Sequence, residues 1–79
     1  MARLGCSDSE YRALQMARQN LIHLKILKRD MEGQAEELRK LELHEEALRY
    51  EEAASRLIKE IRYWETEVER LEKRCFGRE

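Results

Sequence analysis

The chain has 79 residues, of which 42% are charged, and a formal net charge of −1. Ala, Glu, Lys, Leu and Arg supply 49 of the 79, proline is absent, and Val, Ile and Thr together number six. That leaves a β-sheet without its usual formers, while the length suits one small domain built of helices.

The first helix has a marked start. Ser7-Asp8-Ser9-Glu10 reads as a capping box, in which Ser7 and Glu10 each satisfy the other's free backbone N–H. Cys6 and Tyr11 take the positions of a hydrophobic staple across that cap. Tyr11, Leu14, Ala17, Leu21, Leu24 and Met31 then recur at three-four spacing, so one apolar stripe runs to about residue 31. Ile22, Ile26 and Leu27 widen it, which suits a helix with neighbours on more than one side. Gly33 is the only glycine between Gly5 and Gly77 and is the expected stop, since glycine is the usual left-handed residue after a helix.

From residue 35 to 75 the pattern is helical again, with two stripes. Met31, Leu38, Leu41 and Leu48 form one. The other holds Leu43, Ala47, Tyr50 and Ala54, then Leu57, Ile61, Trp64, Val68, Leu71 and Cys75. They overlap at 41–50, so a second break is expected near 44–49, or else one helix carries both faces. Five acid-to-base pairs at i,i+4 (Asp8–Arg12, Glu36–Lys40, Glu45–Arg49, Glu52–Arg56, Glu69–Lys73) favour helix throughout. The expected fold is therefore all-α, an antiparallel helical hairpin or small three-helix bundle with coiled-coil-like packing, over one domain spanning 1–79.

Charge is unevenly spread. Residues 1–29 carry six cations against two acids, whereas 30–52 carry three cations against nine acids. Opposite fields of that kind favour a chain folded back on itself. Cys6 and Cys75 lie near the two ends. A hairpin or bundle is expected to hold them beyond the ~7 Å Cα limit for a disulfide, so both read as free thiols in a reducing, cytoplasmic setting. No apolar run nears the ~18 residues of a membrane span, and the opening MARLGCSDSE has no apolar signal core. The chain is expected to be soluble and not exported.

Catalytic chemistry finds no foothold. His23 and His44 lack partners at metal-ligand spacing, neither cysteine sits in a CxxC, and no glycine-rich loop could hold a phosphate. Catalytic, cofactor and metal residues are all expected to be absent. One stretch, Leu48-Arg49-Tyr50-Glu51-Glu52-Ala53-Ala54, resembles the centre of the UVR motif, a helical hairpin of the excinuclease B and C subunits. The likeness extends over 48–61, where Ser55-Arg56-Leu57-Ile58 departs from the family pattern and Ile61 meets the later apolar position after a one-residue slip. It implies a docking element between repair proteins, with a pivot near Leu48 to Tyr50.

The functional reading follows from mass and phase. Leu57, Ile61, Trp64, Val68 and Leu71 keep seven-residue register, and a chain this small has little else to enclose an indole. They are expected to form an interaction surface for a partner helix or a second copy. The chain then reads as a non-catalytic helical adaptor or subunit. The alternative is a nucleic-acid-associated accessory factor using the basic first helix or the tail with Arg70, Lys73, Arg74, Phe76 and Arg78.

Overall fold

A computed structural model describes residues 5–77. Residues 1–4 and 78–79 lie outside the described residues, Arg78 of the basic tail among them. Helix α1 spans Asp8–Lys40 and helix α2 spans His44–Phe76, 33 residues each. They run antiparallel, side by side, in a rod of 56 × 20 × 19 Å. The fold is an all-α hairpin; among the described residues there is no third helix and no strand.

The capping box forms as the sequence predicts. The Glu10 N–H donates to Ser7 Oγ at 3.2 Å, and the Ser7 N–H donates to Glu10 Oε1 at 3.0 Å. The turn, however, is not at Gly33. Helix α1 passes through Gly33 without a positive φ, and a Cβ built there would meet nothing within 4 Å. A lone glycine costs a helix only about 1 kcal/mol, less than the packing on either side supplies.

The helix stops instead at Leu41. Glu42 takes the left-handed conformation with φ 62°, its N–H donates to the Arg39 carbonyl at 3.0 Å, and the Leu43 N–H donates to the Leu38 carbonyl at 2.9 Å. Those two bonds are a Schellman motif built without glycine. Helix α2 then runs unbroken through 44–49 and through Leu48 to Tyr50, so both the second break and the pivot near Tyr50 are displaced to Leu41–Leu43.

Buried residues on each helix recur at sevens. On α1 Leu14 and Ala35 share one series with half-buried Leu21 and Lys28; on α2 the series is Ala47, Ala54, Ile61, Val68 and Cys75. At the open end Leu14, Ala17, Val68, Leu71 and Cys75 form the core, with Cys6, Leu21 and Trp64 packed against it. At the turn end the buried residues are alanines, Ala35, Ala47 and Ala54.

Cys6 and Cys75 form a disulfide, with Cα atoms 4.6 Å apart. The expectation of free thiols fails because a single long hairpin returns the chain's end to its beginning, whereas a turn at Gly33 would not. The Gly5 N–H donates to the Cys75 carbonyl at 2.8 Å, and a Cβ at Gly5 would stand 2.9 Å from the Arg74 carbonyl oxygen. Glycine lets the backbone approach that closely. With the cysteines joined, they no longer argue for a reducing compartment. Among the described residues no helix is long and apolar enough to cross a membrane.

Candidate interaction surface

The stripe singled out from sequence lies mostly between the helices. Ile61, Val68 and Leu71 are buried, and Leu57 and Trp64 are half-buried. Trp64 packs against the core at the open end, with Tyr63 edge-on at a centroid distance of 5.1 Å. The stripe does not project past the first helix, because α1 is as long as α2 and covers it along its length.

Large apolar side chains stand outside that seam. Ile22, Ile26 and Leu27 are exposed on α1, and Leu41, Leu43 and Leu48 are exposed about the turn. On the α2 flank Ile58 is also exposed, at 37%.

One flank of the seam carries a regular ladder of ion pairs. Arg18 meets Glu72 at 2.9 Å, Lys25 meets Glu65 at 3.6 Å, and Arg39 meets Glu51 at 2.5 Å. Their α1 members fall seven or fourteen residues apart, and their α2 members step back by the same intervals. The antiparallel register produces that order, since seven residues return a side chain to the same flank. Arg39 is a bidentate partner of Glu51, its Nε donating to Oε2 at 2.7 Å. That hydrogen bonding holds the Glu51 carboxyl below the ordinary carboxylate range and raises the Arg39 guanidinium.

The remaining position in the ladder pairs Glu32 with Ile58 and makes no ion pair. Glu32 turns to Lys28 within its own helix, at 2.7 Å. Around this position lies an open groove of about 380 Å³, lined by Lys25, Lys28, Arg29 and Glu32 of α1 with Ile58, Ile61, Arg62 and Glu65 of α2. Lys28 accounts for the opening, since it places a cation within an otherwise apolar or alanine series. Among the described residues, Arg29 and Arg62 have no carboxylate partner.

The open end adds Tyr11, edge-on to Phe76 at 6.2 Å, with Arg18 6.0 Å from the Phe76 ring centroid. Glu10 is held below the usual carboxylate range, first by the Ser7 backbone N–H and then by the Arg74 guanidinium. His23 and His44 are exposed, and among the described residues no three His, Cys, Asp or Glu side chains are grouped to hold a metal ion.

Of these features, the groove was missed from sequence. Its signal was present in Ile58, an apolar residue beside the stripe residue Leu57, but reading it required the right register. No protein-family model, curated protein or solved structure matches this chain.

Proposed function

We propose that the chain is a non-catalytic protein–protein interaction module, a small helical adaptor or subunit whose two helices pack as an antiparallel coiled coil. The observation that carries this reading is the apolar surface left outside a seam that is already filled. Ile26 is 54% exposed and Leu41 68% exposed, although the stripe of Leu57, Ile61, Trp64, Val68 and Leu71 has its partner within the chain. Ile22 and Ile26 stand one turn apart on the same face of α1, and grouped exposed apolar side chains mark interaction sites where singly scattered ones do not.

The nucleic-acid reading has less support. Arg18, Lys25 and Lys28 of the basic helix each hold a carboxylate, which reduces the field offered to phosphate.

The test is photo-crosslinking from benzophenone side chains placed at Ile26 and at Leu48 of the whole chain in its native cells. A discrete protein adduct from one of these positions, lost when neighbouring Ile22 or Leu41 is changed to Glu, is the expected result. A chain that sediments as a monomer and yields no adduct from either position overturns the reading.

A further inference from the structure

The ladder along one flank of the hairpin is interrupted at a single place, and the interruption has its own chemistry. Arg18, Lys25 and Arg39 face Glu72, Glu65 and Glu51, but the equivalent position on α2 is Ile58. An isoleucine left 37% exposed there gives up an ion pair without filling the core. Beneath it Ile61 is 9% exposed and forms an apolar floor.

The cations around this floor divide into two groups. Lys25 is occupied by Glu65 and Lys28 by Glu32. Arg29 and Arg62, one on each helix, line the same groove with no carboxylate partner among the described residues. A guanidinium is a planar fork that fits a carboxylate through two parallel hydrogen bonds. The groove thus combines an apolar floor with two unengaged carboxylate receptors.

We propose that this groove docks an acidic amphipathic segment of a partner protein, which lays an apolar side chain against Ile58 and Ile61 and brings carboxylates to Arg29 and Arg62. The proposal rests on the interaction-module reading and gives it a location and a partner chemistry. Its volume, about 380 Å³, falls within the ~300–1,000 Å³ of clefts that enclose small groups, so it holds a few side chains. Glu32 and Glu65 line it too, but each is paired with a lysine of the same groove, and the apolar floor has no counterpart in a polyphosphate backbone. A second copy joined through the same groove is disfavoured by its charge. Four cations against two acids would face an identical set across the two-fold axis.

The experiment measures binding of a fluorescein-labelled synthetic helix of Glu, Leu and Ala to the full oxidised chain, by fluorescence anisotropy. Its control is the same peptide with every Glu replaced by Gln. Saturable binding of the acidic peptide is expected, with roughly tenfold loss on Ile58→Glu and on the double change Arg29→Glu with Arg62→Glu. Met16→Glu, at an exposed position outside the groove, should leave it unchanged, and circular dichroism should show the same helix content in each variant. No saturable binding, or binding that ignores these substitutions, overturns the proposal. So does binding of a single-stranded RNA oligonucleotide that the same variants abolish, or a concentration-dependent dimer that they dissociate. If the groove fails in this way while crosslinking from Ile26 or Leu48 still gives its discrete adduct, the interaction-module reading stands and only its location is wrong.

Discussion

The backbone N–H of Leu43 donates to the carbonyl of Leu38 at 2.9 Å, and with that bond the first helix ends in a glycine-free cap. The strain falls on Glu42, whose φ of 62° places a side chain where an L-residue pays roughly 1–2 kcal/mol. Glu42→Gly should therefore raise stability by about 1 kcal/mol, even after the extra freedom of glycine in the unfolded chain. Thermal unfolding by circular dichroism checks it. An unchanged or lower midpoint would mean that the turn is made elsewhere.

Gly33 should respond in the opposite sense to a turn glycine. It sits inside α1 with open space where a Cβ would go. Gly33→Ala should stabilise the hairpin by about 1 kcal/mol. Paired denaturant titrations of the two chains would show it as a higher midpoint at equal slope.

Reducing the Cys6–Cys75 bridge should cost far more. It joins residues 69 apart, and the loss of loop-closure constraint for a loop of that size is about 4 kcal/mol. For a chain of this length that corresponds to a drop of roughly 20 °C in Tm. The check is a pair of melts of the same sample, with and without a phosphine reductant. Equal midpoints, with thiol titration confirming reduction, would show the bridge adds nothing.

Acid should loosen the molecule through identified carboxylates. Glu10 is depressed by the Ser7 N–H and Arg74, Glu51 by Arg39, and Glu67 by Arg70. A folded pKa below the unfolded one gives stability that is full above the unfolded value and lost as pH falls through the folded value. The decline should thus begin below about pH 4 and should flatten in Glu10→Gln and Glu51→Gln. Melting temperatures between pH 7 and pH 2 test this, and a slope that both variants leave untouched would assign the acid sensitivity to other groups.

How much of this could be read from the sequence depends on where the turn was placed. Helicity, the Ser7–Glu10 cap and the hairpin were legible, because each rests on near neighbours in the chain. Glu36–Lys40, Glu52–Arg56 and Glu69–Lys73 all form as ion pairs for the same reason. Partners across the hairpin were not legible. Glycine at 33 is the stronger local signal, and an αL glutamate at 42 leaves no mark in composition. A turn at 33 sets every cross-helix pair in the wrong register and sends Cys6 away from Cys75. The ladder of Arg18, Lys25 and Arg39, and the gap in it at Ile58, become visible only after the turn is moved to Leu41–Leu43.

The covalent link between Cys6 and Cys75 also decides which assemblies are open to the chain. With the turn at one end and the sulfur bridge at the other, the two helices belong to one closed ring. Two such rings cannot trade helices, so the exchange by which hairpins commonly become intertwined dimers is barred while the bridge is intact. Any assembly of the oxidised chain is built from its outer faces, with each ring whole. Reduction is the step that would release one arm to a neighbour.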